Sequence, residues 1–460
     1  MRNHISEPTT ASEMSRRQMI QAGGLGLMGV TLPRLLGAQD AAKLNGIRPT
    51  ADACVILYLN GGPSHLDSLD QKPEAPDGIR GEFHPIASSV PGYQVCEHLP
   101  LMARQMHRTT VVRSMHHGVN NAHAAAVYAA MTGHDRGEIG GGARPTDYPT
   151  PGAVLDKFRP PTGNSVSHVC LPYITKEGAG GPPQPGFFAG LLGQQHDPLF
   201  VLKDPNAADF SVPELTLQLD VNSQRLDLRR ALFASLDQQM AVPATSRGMT
   251  GLQHRAFDLL TSRGAQEALR IGAESDKVRD AYGRNIYGQS VLLARRLIEA
   301  GTRLVTVSWA PDANATWDTH GSNFVSLKTK LLPQLDAACS SLLEDLAQRG
   351  MLERTLVVVM GDFGRTPKIN GNNAGRDHWN FCYSLMLAGG GMKAGLIHGA
   401  SDKIGAFPAV SPLTPGDIVS TIYQCLGLRH DGLIYDSLDR PHRLVPEGDV
   451  MSFETFLNQK

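Results

Sequence analysis

The chain of 460 residues has almost no net charge: 43 Lys and Arg stand against 44 Asp and Glu, a formal −1. Without a basic field there is nothing to neutralise a phosphate backbone, which excludes nucleic acid as a partner. Aromatic residues are scarce, at 6%. The six cysteines are Cys54, Cys96, Cys170, Cys339, Cys382 and Cys425, and they include no C-x-x-C pair or other metal-ligand spacing. Cys54, Cys339, Cys382 and Cys425 sit in apolar segments as small core residues. Cys96 and Cys170 remain open to pairing with each other or another thiol in an exported protein. No internal repeat is present. The N-terminal apolar run, Ala22 to Leu32, is too short and too Gly-rich for a stable membrane span.

What is present is an ordinary globular composition, 41% hydrophobic and 19% charged. It suits one large α/β domain or two smaller ones. The 48 glycines and 30 prolines point to long loops. Ser15-Arg16-Arg17 precedes the modest apolar run, and small residues follow at Ala38 to Ala42. That is a twin-arginine export pattern. It makes residues 1–42 a signal read by the Tat machinery and places the remainder in the periplasm or outside the cell.

Apolar runs and amphipathic stretches alternate along the rest. Ala53 to Leu59, Thr109 to Met115, Arg303 to Trp309, Leu356 to Met360 and Phe381 to Ala388 read as strands, several of them buried on both faces. Ala124 to Met131, Gly288 to Ala300, Phe324 to Gly350 and Pro415 to Leu426 read as helices, and Pro333 should start or kink the third. Residues 134–230 are loop-rich, and the end of the chain reads as a surface tail. Strand and helix in alternation imply a doubly wound α/β core.

Four of the strand ends carry chemistry. Leu59-Asn60 runs into Gly61-Gly62-Pro63-Ser64-His65-Leu66-Asp67, where Asn60, His65 and Asp67 can coordinate or orient a cation. After Met115 come His116, His117, Asn120, Asn121 and His123, the last at a helix start, where free N–H groups favour anions. Asp318-Thr319-His320 places two donors on one face of an extended segment, a spacing suited to one metal. Asp362 ends a further strand, Arg365 follows, and a Gly/Asn-rich loop leads to Asp377-His378. In α/β proteins ligands bind outside the carboxyl ends of the strands.

The order of these donors resembles the alkaline phosphatase superfamily. More closely, GGPSHLDSLDQKP, HHGVNNAHAAAVYAAMTGH, LLARRLIEAGTRLVTV, WDTHGSNF, GDFGRTPKIN, GRDHWN and LAGGGMKAGLIHGASD resemble the secreted, sulfatase-like family DUF1501 over nearly all of residues 43–460. The resemblance implies a single alkaline-phosphatase-like domain with a mostly parallel central sheet, helices on both faces and an insertion at about 134–230. It implies a divalent metal, Zn, Mn, Ca or Mg, and hydrolysis of a sulfate or phosphate ester on a small molecule or polysaccharide. The alternative is a non-catalytic descendant that binds metal or an anionic glycan. By position, Asp318, His320 and His378 match one metal's ligands and Asp362 the second's, with the first-strand ligand at Asn60 or replaced by Asp67 or His65. Three departures stand out. The superfamily's Asp-His pair is here Asp362-Phe363, the sulfatase motif Cys-x-Pro-x-Arg is absent, and the nucleophile position, one helix upstream of Thr132-Gly133, holds His123. The routes left are water activated by metal, Ser64 as nucleophile, or His123 acting covalently or as acid-base. His117, Asn121 and Arg365 would contact the substrate, Arg365 by pairing with the anion.

Overall fold

The computed structural model describes residues 42–446, apart from 138–139, 162–164 and, save Leu228 and Leu232, 213–261. The twin-arginine segment and most of the charged stretch at 223–270 lie outside the described residues. Eight strands form the main sheet: β1 (Ala53–Tyr58), β2 (Thr109–Met115), β3 (His168–Leu171), β4 (Leu199–Phe200), β5 (Leu304–Ser308), β6 (Thr355–Met360), β7 (Tyr383–Ala388) and β8 (Leu396–His398). Their order is β8-β2-β7-β6-β1-β5-β3-β4. Every pairing is parallel except those of β7, which runs against both β2 and β6.

The central strands are apolar on both sides because both sides are covered. Side chains alternate across a strand, so Val55 and Leu57 of β1 join Val305, Val307, Val357 and Val359 in one core. Ile56 and Tyr58 join Leu304, Leu356 and Val358 in another. Helices α1 (Pro100–Gln105), α4 (Ile286–Glu299) and α5 (Leu332–Gln348) close the first core, through residues such as Met102, Leu292 and Leu342. Helices α2 (His123–Thr132), α3 (Pro151–Phe158) and α6 (Pro415–Cys425) close the second, through Val127, Val154 and Val419. The chain is thus a mixed α/β protein with a mostly parallel sheet between two helical layers.

The structure sharpens one sequence expectation, corrects another and closes an open question. The helix expected from Phe324 to Gly350 is broken into Asn323–Ser326, a π turn at Leu327–Leu331, and α5. Pro333 has no N–H to give the carbonyl four residues back, and the ladder widens there by one residue. The chain after Leu426 is not a plain surface tail: Leu433–Tyr435 pairs with Pro441–Arg443, and Leu428, Ile434 and Leu444 are buried. Cys96 and Cys170, left open to pairing, are both free and buried, and burial pushes each thiol up to about 12.

The C-terminal hairpin is tied back to the end of α2 by His134. Its Nε2 donates to the Leu444 carbonyl at 3.0 Å, and its ring stacks on Tyr148 with centroids 3.4 Å apart. Burial lowers its pKa from 6.5 to about 4. The unfolded chain therefore takes up this proton first as pH falls. The stabilisation is complete above pH 6.5 and is lost as pH drops toward 4, an effect of up to about 3 kcal/mol. Urea unfolding at pH 7 and pH 4.5 should show a smaller pH dependence in His134→Phe than in the parent chain.

Candidate metal centre

Parallel strands deliver their following residues to one edge of the sheet. Asn60 follows β1, His117 and His123 follow β2, Asp318 and His320 follow β5, and Asp362 follows β6. Because β7 is antiparallel, its start lies at that same edge, and His378 arrives there just ahead of it. Two glycines let these segments close up. A Cβ on Gly61 (φ +108°) would lie 2.5 Å from the Asp318 nitrogen, and one on Gly62 (φ +85°) would lie 2.5 Å from the Phe363 ring. No other residue fits either place.

At the centre stands Asp318. Its Oδ1 lies 2.9 Å from His378 Nε2 and 3.2 Å from His320 Nε2, and its Oδ2 lies 3.6 Å from His123 Nε2. The His320 and His378 Nε2 atoms are 3.0 Å apart. One donor atom each from His123, Asp318 and His378 fall within 4.8 Å of one another.

The other ring nitrogen of each histidine decides what these contacts mean. His378 Nδ1 meets the Asn121 carbonyl at 2.7 Å, His320 Nδ1 meets Asp377 Oδ1 at 2.7 Å, and His123 Nδ1 meets Asp362 Oδ2 at 2.6 Å. All three partners can only accept, so each Nδ1 carries the proton. A neutral ring then presents its Nε2 lone pair. Three lone pairs face one another and a carboxylate, an arrangement that repels itself unless positive charge sits among them. Protons are one source: Asp362 and Asp318 outweigh the desolvation of His123 and raise its pKa to about 9. His378 goes the other way, because burial, its largest influence, lowers its pKa despite the contact with Asp318. Tying Nδ1 to a carboxylate or carbonyl and aiming Nε2 inward is how proteins orient metal-binding histidines.

Asp318 is held ionised. Burial alone would raise its pKa, but His123, His378 and the Arg365 guanidinium keep it well below the usual carboxylate range. Phe363 packs against both rings, with centroids 4.3 Å from His378 and 5.1 Å from His123.

The remaining predicted residues are placed elsewhere or otherwise. Arg365 is not open to a substrate anion. It is fully buried and donates to the carbonyls of Gly61, Gly62, Trp317 and Arg376, with its last contact, 2.7 Å, to Asp318. Asp67 does not join the cluster either. It is buried against Arg376 at 2.8 and 3.0 Å, and it also accepts from Ser64 (2.6 Å) and Asn323 (2.9 Å). Ser64 is accordingly a buried donor to Asp67 rather than an exposed nucleophile. His65 Nε2 donates to the Gly405 carbonyl at 2.8 Å, away from the cluster. His117 is buried, with Nε2 3.0 Å from the Asp362 carbonyl, and Asn121 contributes its carbonyl to His378. Asn60 is fully buried at the end of β1; neither side-chain amide atom, nor Asp362 Oδ1, has a partner among the described residues.

Asp377 and Arg376 carry roles that the sequence did not assign. Both stand in GRDHWN beside His378, but their partners, His320 and Asp67, are 57 and 309 residues away. Only the adjacency to His378 was visible.

A family model for a protein of unknown function, DUF1501, matches residues 51–452. The chain belongs to that family. No curated protein matches it. Among solved structures, it is similar to the PsFucS1 sulfatase from Pseudoalteromonas sp., at 13% identity and a TM-score of 0.37, covering 86% of this chain and 71% of that one. It is also similar to Ps i-CgsB in complex with k-i-k-neocarrahexaose, at 14% identity and a TM-score of 0.37, covering 83% and 72%. A third similar structure is the lipoteichoic acid synthase LtaP from Listeria monocytogenes, at 10% identity and a TM-score of 0.34, covering 86% and 79%.

Removing the guanidinium tests the role given to Arg365. Arg365→Met strips Asp318 of its guanidinium and leaves several carbonyls buried without a donor, and should cost on the order of 3–5 kcal/mol in chemical denaturation. Arg365→Lys should not recover it, because a single ammonium cannot reach the same set of acceptors.

Proposed function

We propose that the chain is a metal-dependent hydrolase of sulfate or phosphate esters. The observation that carries the reading is the convergence of three imidazole Nε2 atoms on the Asp318 carboxylate, each ring fixed through Nδ1. His123, Asp318 and His378 would hold the ion, with His320 at the rim, its side chain 42% exposed. A donor set of imidazole nitrogens and one carboxylate suits zinc or a similar first-row ion better than Ca or Mg, which prefer oxygen. Such an ion supplies Lewis acidity to an ester oxygen and lowers the pKa of water.

The chain's own residues do the positioning. Asp377, Asp362 and the Asn121 carbonyl fix the imidazoles, and Arg365 fixes Asp318. Phe363 walls off one side, which strengthens the electrostatics inside. Helix α2 begins at His123 with no side-chain cap, which sets the positive end of its dipole beside the His123 ring. With Ser64 committed to Asp67, this reading uses water rather than a serine as nucleophile.

Elemental analysis of protein purified without chelators should find about one ion per chain. His123→Ala and His378→Ala should abolish retention, and Asp377→Asn should weaken it about 10- to 100-fold. A panel of aryl sulfates, phosphate monoesters and diesters, and sulfated glycans should show turnover that chelation removes. Turnover surviving Asp318→Ala would overturn the site. Stoichiometric metal with no turnover on any member would leave a binding protein.

We also propose that residues 1–42 direct export by the twin-arginine route, into the periplasm or beyond, ahead of one domain spanning 43–460. The paired Arg16 and Arg17 support this. Replacing both with Lys should trap the chain in the cytoplasm, as read by fractionation.

A further inference from the structure

Directly behind the loops that carry Asn60 and Asp318 lies a cavity whose walls come from Leu59, Trp317, Met360 and their neighbours. The space open to the centre of a water molecule is about 30 Å³, where roughly 10–15 Å³ suffices for one. Most of the wall is apolar. Three wall residues, His65, Trp317 and Ser384, are polar and buried. His65 Nδ1, Trp317 Nε1 and Ser384 Oγ each lack a hydrogen-bond partner among the described residues. The fourth polar wall residue, Ser68, is already engaged, its hydroxyl donating to the Ser64 carbonyl at 2.6 Å.

The polarity of the three open atoms narrows what fits. His65 donates through Nε2 to the Gly405 carbonyl, so its Nδ1 can only accept. Trp317 Nε1 can only donate, and Ser384 Oγ can do either. The occupant must therefore both give and receive hydrogen bonds. No charged group lines the cavity, so an ion has nothing to balance it, and a hydrocarbon would leave all three atoms unpaired. We infer that the cavity is a hydration site for one or two ordered waters joining Trp317, His65 and Ser384. These residues come from three separate segments: the loop after β1, the residue just before Asp318, and β7. The waters lie behind the segment that carries Asp318 and join it to the loop after β1 and to β7. The inference rests on the cavity and its open atoms and is independent of the hydrolase reading.

Crystals of the full chain test it directly. Ordered water peaks within hydrogen-bond distance of Trp317 Nε1 and His65 Nδ1, with no xenon bound there under pressure, are expected. Featureless density or a xenon peak would overturn it, because a dry cavity takes up xenon. Water-¹⁷O relaxation dispersion in solution gives a second reading. Ser384→Ala and Trp317→Phe should each lower the number of long-lived internal waters relative to the parent, and an unchanged number in both would also overturn the inference.

Discussion

The contact between Arg365 and Asp318 is the constraint on which the rest of the site depends. A guanidinium with no exposure is costly to bury, and one carboxylate does not offset that cost. The structure supplies more: the carbonyls at Gly61, Gly62, Trp317 and Arg376 all accept from it. Those carbonyls belong to the loops leaving β1 and β5 and to the segment approaching β7. One side chain thus fixes three loops and presents Asp318 to the histidines in a single orientation. The two-residue ribbon in which Arg365 pairs with His378 ties the last of these segments down a second time.

A second buried pair, Asp67 with Arg376, works in parallel. It anchors the loop after β1 to the long connection between β6 and β7, and Ser64 and Asn323 complete the carboxylate's partners. The two arginines have opposite consequences for their carboxylates. Asp318 keeps an oxygen turned toward the imidazoles, whereas Asp67 is enclosed. A place in the loop after a buried strand was common to both residues in the sequence, so it did not separate a cluster member from a structural one.

The strands were legible because they are short, apolar and bounded by glycine or polar runs, and β2 occupies the residues its pattern indicates. The donors at strand ends were legible for the same reason: Asp318, His320, Asp362 and His378 stand at loop positions that a packing argument does not require. Partner choice was not legible. Whether Arg365 faces solvent or a carbonyl cage depends on contacts 48 and 304 residues away, and no local pattern encodes that. Phe363 illustrates the same limit. As a letter it is a ligand lost, but in space it is the surface against which two imidazoles are set.

The reversed strand β7 has a consequence for how the protein is assembled. It returns the chain to the edge it left at β6, so the donors reach one point from segments spread along most of the sequence. His123 and Asp362 alone are 239 residues apart. No fragment, hairpin or helix pair contains the cluster. It closes only once the central strands are in register, among the slowest kinds of contact for a chain to form. An ion bound at the proposed site would therefore report the completed fold as a whole, because its donors, His123, Asp318 and His378, lie far apart in the chain.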